Sequence, residues 1–267
     1  MPDFNLHTHT ARCRHAVGTD REYAQAALSA GLKVLGFTDH CPFSCLRDVS
    51  DRMNPEEREG YLNSIQSLRQ EFQGSLRILS GYEFEYFPQC LKELKQRRQE
   101  TDLMILGQHY DGPGGVDFGV VCSDEAVLRY AELIEEALAQ GLVDVLAHPD
   151  YFMLGRGDWS EACQQASIRI CRALAAWDVP AEINLNGIRY GLRQMTQGKR
   201  YAYPWNDFWR IAADFHCRAV FGMDAHAPQQ LTLMSERIAL VRSFVDLKGL
   251  RLVEQWDESL LKKGART

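Results

Sequence analysis

A closed parallel α/β barrel related to the (β/α)8 architecture, here with seven strands, is the fold this sequence predicts, and three observations predict it. Short apolar runs alternate with amphipathic stretches seven times along 267 residues. No Pro/Ser-rich linker, tandem repeat or shift in composition divides the chain, so a single domain over residues 1–267 is expected. Six of the seven apolar runs end in His, Glu or Asp. In a parallel barrel all those ends meet on one face, where functional loops gather.

The first run, Phe4-Asn5-Leu6, leads into His7-Thr8-His9. Side chains at i and i+2 of a strand share a face, so both imidazoles are expected to converge. A polar segment with Arg12, Cys13, Arg14 and His15 follows, then a helix from about Gly18-Thr19-Asp20 to Ala30, stopped by Gly31. The second run, 33–38, stops at Asp39-His40. A loop over 43–54 and a helix over 55–73, with Tyr61, Ile65, Leu68 and Phe72 at helical spacing, lead to the third run, 77–82, which meets Glu83. A short basic helix near 89–98 precedes the fourth run, 103–107, which ends at Gln108-His109. The loop Gly112-Pro113-Gly114-Gly115 lacks the Lys of a phosphate-binding P-loop and is expected to be a connection near the site. Ser123 caps a helix to about Gln140, with Asp124 and Glu125 suited to its first turn. The fifth run, 143–147, ends at His148-Pro149-Asp150. A helix over 160–177 and the sixth run, 181–186, follow. Then come a long polar loop with Arg189 and Arg193, a helix over about 205–215, the seventh run, 219–223, ending at Asp224-Ala225-His226, and a last helix near 230–243.

Composition narrows the function classes. Hydrophobic content of 45% and charged content of 25% are ordinary for a globular protein. With a net charge of −6 and no basic run beyond Lys95-Gln96-Arg97-Arg98, expected at an exposed helix face or helix end, no nucleic-acid partner is indicated. No apolar stretch is long enough to span a bilayer, and no leader-like segment opens the chain, so a membrane partner is not expected. Eight scattered cysteines are read as reduced thiols in a cytoplasmic protein. Cys41 and Cys45 beside His40 have no second pair at zinc-finger spacing, so a structural zinc site is not expected there.

The chemistry lies in the strand ends. His7, His9, His15, His40, Glu83, His109, His148, Asp224 and His226 are nine ligand candidates, too many for one ion. Without cations, so many imidazoles in a barrel mouth would be an expensive knot of polar groups. Mixed imidazole and carboxylate donors suit Zn, Mn or Fe, and Glu83 can bridge two ions, so two or three divalent metals are expected. Three ions against the two ligand carboxylates would make the pocket positive and its substrate a small anion.

The ordered set His7-x-His9, His15, Thr38-Asp39-His40, Gly81-Tyr82-Glu83, Gly107-Gln108-His109, Ala147-His148-Pro149 and Asp224-Ala225-His226 resembles the PHP (polymerase and histidinol phosphatase) superfamily over about residues 3–230. Cys13-x-His15-Ala16, Gly36-Phe37-Thr38-Asp39-His40 and Glu182-Ile183-Asn184 with Gly187-x-Arg189 look like its histidinol-phosphatase branch. The resemblance implies a distorted (β/α)7 TIM-like barrel and hydrolysis of L-histidinol phosphate to L-histidinol and phosphate in histidine biosynthesis. It also implies a trinuclear site: His7, His9, Glu83 and Asp224 for one metal, Glu83, His109 and His148 for the second, His15, His40 and His226 for the third.

Phosphomonoester hydrolysis asks for an activated water and for cations on the phosphoryl oxygens. Arg189 is the first candidate for a phosphate clamp, since the family places a basic residue on that loop; Arg12, Arg14 and Arg156 are alternates. Asp39 and Asp150 flank candidate ligand histidines and either could orient an imidazole, Asp150 counting with Arg189 as a catalytic candidate; the sequence names no general acid. Rival readings are a phosphatase or phosphodiesterase for another small anion, an amidohydrolase-like deacylase, which would want a metal-bridging lysine that no strand supplies, and a non-catalytic PHP module. The loops 43–54, 111–122 and 151–159 carry no signature for a substrate, and nothing in the sequence sets an oligomeric state.

Overall fold

The computed structural model describes residues 1–47 and 49–261; residues 48 and 262–267 of the expected domain span lie outside the described residues. The strands are β1 (Phe4–Asn5), β2 (Val34–His40), β3 (Arg77–Phe84), β4 (Leu103–Leu106), β5 (Val145–Leu146), β6 (Ala181–Asn184), β7 (Arg193–Met195), β8 (Gly198–Arg200), β9 (Arg218–Gly222) and β10 (Arg251–Leu252). Eight of them form one sheet in the order β1-β2-β3-β4-β5-β6-β9-β10, with every neighbouring pair parallel.

The sheet curls until its ends meet. Just past β1 and β9, Thr8 bridges Ala225; the His9 N–H donates to the Ala225 carbonyl at 2.9 Å and the Ala225 N–H to the His7 carbonyl at 3.2 Å. At the opposite end β10 wedges in, with the Asp3 N–H donating to the Glu254 carbonyl at 3.0 Å. The seven expected βα units are therefore present, and closure is uneven because a short eighth strand separates β9 from β1 at one end only.

Inward positions are layered. Val34 on β2, Leu79 on β3, Leu103 on β4 and Val220 on β9 fill the lower barrel with Leu260, and Trp256 packs against them. Two residues further along β3 and β9 come Gly81 and Gly222, and two further Glu83 and Asp224. The glycines leave room where the barrel is narrow: a Cβ at Gly81 would meet the Leu103 backbone, and one at Gly222 the Glu182 carboxylate. The larger core lies between the strands and the surrounding helices.

The helices are α1 (Asp20–Ser29), α2 (Arg58–Glu71), α3 (Leu91–Glu100), α4 (Asp124–Ala139), α5 (Glu161–Trp177), α6 (Asn206–Asp214), α7 (Pro228–Thr232) and α8 (Met234–Arg242). Thr19 and Glu22 close a capping box on α1, and the Ser123 side chain accepts from the Ala126 N–H on α4, as its sequence predicts. Four expectations need correction. The last helix is two, interrupted at Leu233. The polar loop after β6 contains the antiparallel hairpin β7–β8. β10, two residues long, is too short to register as a periodic pattern. The basic run lies at the C-terminal end of α3, one of the two places expected, but only part of it is solvated: Lys95 is exposed, whereas Arg98 is buried against Asp144 and Arg97 pairs with Glu93 and Glu100.

Candidate metal centre

Five of the candidate imidazoles converge on the Glu83 carboxylate. Its Oε1 lies 2.8 Å from His148 Nε2, 3.5 Å from His7 Nε2 and 3.6 Å from His109 Nε2. Its Oε2 lies 3.2 Å from His40 Nδ1 and 3.4 Å from His9 Nε2. Asp224 Oδ1 stands 3.1 Å from His9 Nε2 and 3.6 Å from His7 Nε2. His7 and His9 do converge, their Nε2 atoms 3.2 Å apart, although the regular strand ends at Asn5. Nε2 of His15, delivered by the first βα loop, is 3.0 Å from that of His226.

Ligand atoms of His15, His40 and His226 lie within 4.8 Å of one another, as do those of His7, His9 and Asp224, and those of His7, Glu83 and His148. His40 Nδ1, His148 Nδ1 and Asp224 Oδ1 are buried with no hydrogen-bond partner, an arrangement that costs free energy unless a cation accepts their lone pairs. A Cβ at Gly107 would strike the Glu83 carboxylate, so the barrel reserves space for that group. Donor types, spacing and unpaired atoms together fit a cluster of divalent ions.

Electrostatics agree. Burial opposes a proton on His7, but Glu182, Asp224 and Glu83 outweigh it and hold its pKa well above the usual imidazole range. His9 is raised likewise, burial being outweighed by Asp224 and Asp39, and His109 reaches about 9 because Glu83 and Glu85 outweigh its burial. Burial and the neighbouring His9 push His40 well down and His226 to about 3. Glu83 and Asp224 stay well below the usual carboxylate range because the imidazoles outweigh their burial.

A further set of carboxylates anchors the imidazoles. His7 Nδ1 meets Glu182 Oε1 at 2.9 Å, and Glu182 Oε2 also accepts the His148 N–H at 3.2 Å. His109 Nδ1 meets Glu85 Oε1 at 3.0 Å. The Arg52 guanidinium, fully buried, donates to Glu85 at 2.9 and 3.0 Å and to Asp51 at 3.0 Å twice. Asp39 serves His9 rather than its neighbour His40, with Nδ1 at 3.4 Å, and accepts the Thr10 N–H and hydroxyl. These contacts fix ring orientation and raise ligand basicity. Sequence reasoning missed the roles of Glu182, Glu85 and Arg52; Glu83 and Glu85 share the i, i+2 spacing that singled out His7 and His9. With Asp39, Glu85 and Glu182 present, the positive surplus expected of the pocket shrinks.

The ligands floor a solvent-open cleft of about 560 Å³, whose wall includes Asp51, Tyr110, Asp117, Tyr151, Arg189, Tyr190 and Tyr203. Among the described residues Arg189 is the one arginine in that lining; it donates to the Tyr190 hydroxyl at 2.8 Å and lies over the Tyr190 ring. The other arginines are engaged elsewhere: Arg12 with Asp20 at 2.9 Å, Arg14 with Glu57 at 2.6 Å, Arg156 with Asp124 and the Cys122 carbonyl at 2.8 Å each. Asp150 is also turned away. Its Oδ2 accepts the Trp205 N–H at 2.5 Å and the Trp209 Nε1–H at 3.1 Å, tying α6 to the end of β5, and burial raises its pKa to about 7. Sequence adjacency to His148 brings the Asp150 backbone to the site but not its carboxylate.

A parallel barrel whose mouth gathers imidazoles around a shared carboxylate defines the class of barrels with a candidate metal site at the strand ends. The family model described as PHP domain matches residues 5–186, and the chain belongs to that family. It is 32% identical over 239 residues to a probable histidinol-phosphatase of Deinococcus radiodurans, covering 84% of this chain and 86% of that one. It is 32% identical over 140 residues to the histidinol-phosphatase of Bacillus subtilis, covering 48% and 50%. The crystal structure of histidinol phosphate phosphatase from Lactococcus lactis, complexed with Zn, L-histidinol and phosphate, superposes with a TM-score of 0.73 at 18% identity, covering 98% of this chain and 99% of that one. That likeness bears out the TIM-like barrel. Among the described residues no helix is long and apolar enough to cross a membrane.

Proposed function

We propose that this chain is a metal-dependent phosphomonoesterase acting on L-histidinol phosphate, carried by one barrel domain. The observation that supports it most is the convergence of five imidazoles on the two oxygens of Glu83, beside Arg189, which among the described residues meets no carboxylate, in the same cleft. His7, His9, Glu83 and Asp224 would hold one ion, Glu83, His109 and His148 a second, and His15, His40 and His226 a third. Divalent ions there supply an activated water and neutralise phosphoryl charge.

The protein's own residues do the rest. Glu182, Asp39 and Glu85 orient the rings of His7, His9 and His109. Arg189 binds a phosphoryl oxygen and meets the charge that builds as the ester bond breaks. Arg12, Arg14 and Arg156 are not assigned to substrate, because carboxylates already hold their guanidiniums, and Asp150 is assigned to the packing of α6. The choice of histidinol phosphate rests on the similarity to the Deinococcus and Bacillus proteins, whose names carry that activity.

The test is phosphate release from a panel of small phosphomonoesters, histidinol phosphate included, after reconstitution with Mn, Fe or Zn. Histidinol phosphate is expected to lead the panel. Equal rates for generic esters would defeat the substrate assignment, and protein that never takes up metal would defeat the reading altogether.

A further inference from the structure

The cleft is charged unevenly. Arg189 stands on the loop after β6, close enough to Asp224 to feel its charge. The loops after β2 and β4 bring two further carboxylates, Asp51 and Asp117, into the same wall. Asp117 Oδ1 accepts the Gly119 N–H at 2.6 Å and the Tyr151 hydroxyl at 3.0 Å; among the described residues it forms no ion pair, and the cation its charge reaches is His109. Asp51 accepts the Tyr110 hydroxyl at 3.1 Å and shares Arg52 with Glu85, so one guanidinium there faces two carboxylates.

Both groups are fixed in place. Tyr110 bridges Asp117 through the backbone, and the Phe118 N–H donates to the His109 carbonyl at 2.9 Å. Tyr110, Tyr151, Tyr190 and Tyr203 line the cleft around them.

Carboxylates in a phosphate-binding cleft repel a dianionic ester unless that ester carries a positive charge to meet them. Carboxylate oxygens beside aromatic rings are the chemistry that binds a protonated nitrogen. We infer that Asp117 and Asp51, framed by Tyr151 and Tyr110, form a cation subsite that selects phosphomonoesters whose leaving alcohol carries a protonated nitrogen. The inference rests on the phosphatase reading and assigns its specificity to the loops after β2 and β4. Phosphate and cation then bind at separate places in one cleft, so an ester whose alcohol carries no cation gains only the first contact and brings its phosphate charge in beside two carboxylates with nothing to offset them.

Phosphoethanolamine and propyl phosphate differ by an ammonium in place of a methyl group, and their kcat/KM ratio reads the subsite directly. The wild-type ratio is expected to exceed about tenfold, the scale of one charged hydrogen bond, and to fall toward one in Asp51→Asn/Asp117→Asn, with Asp117→Asn alone intermediate. A ratio unchanged in the double variant, or both esters lost in equal proportion, overturns the subsite. Calorimetric binding of L-histidinol needs no turnover and is expected to weaken about tenfold or more in the double variant. Charge-dependent histidinol binding without turnover would sink the phosphatase reading alone; turnover with equal histidinol affinity in both proteins would sink the subsite alone.

Discussion

Arg52 is the side chain whose replacement tests the supports of the metal centre most directly. It and Glu85 are each 1% exposed, whereas Asp51 is 29% exposed. Arg52→Met therefore strands Glu85 in the interior with only His109, while Asp51 can turn to water. Removing one partner of a buried ion pair costs about 3–5 kcal/mol. The Glu85 pKa gives a second route to the magnitude. Burial pushes that carboxyl up, yet Arg52 and His109 outweigh it and hold it at about 2 instead of 4.5, worth roughly 3 kcal/mol at 1.36 kcal/mol per unit. Because the folded pKa is depressed, that contribution is present above about pH 4.5 and is lost as the pH falls toward 2. Denaturant unfolding of metal-free protein at pH 7 should show the loss in Arg52→Met and less than about 1 kcal/mol in Asp51→Asn. The double variant Arg52→Met/Glu85→Leu should recover most of the stability, since neither partner of the pair is left stranded, yet leave His109 Nδ1 without its acceptor. Its metal affinity should fall about 10–100-fold, read by competition with a chromophoric chelator. Arg52→Met within about 1 kcal/mol of wild type, or a double variant with full metal affinity, would refute the reasoning.

Arg189→Ala should lower kcat/KM by about 1.5–3 kcal/mol of transition-state stabilisation, while Arg14→Ala leaves it unchanged; equal effects would remove Arg189 from the phosphate site. Gly107→Ala should deplete bound metal, measured by elemental analysis, because the new Cβ occupies the place of the Glu83 carboxylate; full metal content would contradict the cradle. Metal affinity should rise with pH: His7, His9 and His109 hold protons at pH 7 in the metal-free protein, and ions must displace them. Titration in weakly buffered solution should release more than one proton per protein, and no release at pH 7 would count against the charge states.

The candidate ligands were legible because all but His15 sit at or just past the end of an apolar run, where backbone pattern and residue type coincide. His7, His40, Glu83, His109, His148 and Asp224 all follow that rule, and His15 was reachable as a loop residue. The arginines were not legible in the same way. Arg14 pairs with Glu57, 43 residues away, and Arg156 with Asp124, 32 away. Nothing local distinguishes them from Arg189, whose guanidinium meets no carboxylate among the described residues. Asp150 misled for a related reason: a short 3-10 turn over Tyr151–Gly155 follows it, and its carboxylate goes to two tryptophans more than fifty residues on.

The sequence by itself determined the parallel barrel, the order of its seven βα units and the nine ligand candidates at its mouth, because strand and helix periodicity and the residue types at strand ends are local properties of the chain. The tertiary structure decided how the barrel closes around β10, which carboxylates hold which imidazoles and which arginine lines the cleft. Those outcomes depend on ion pairs and desolvation between residues distant in sequence, which exist only once the strands have curled together.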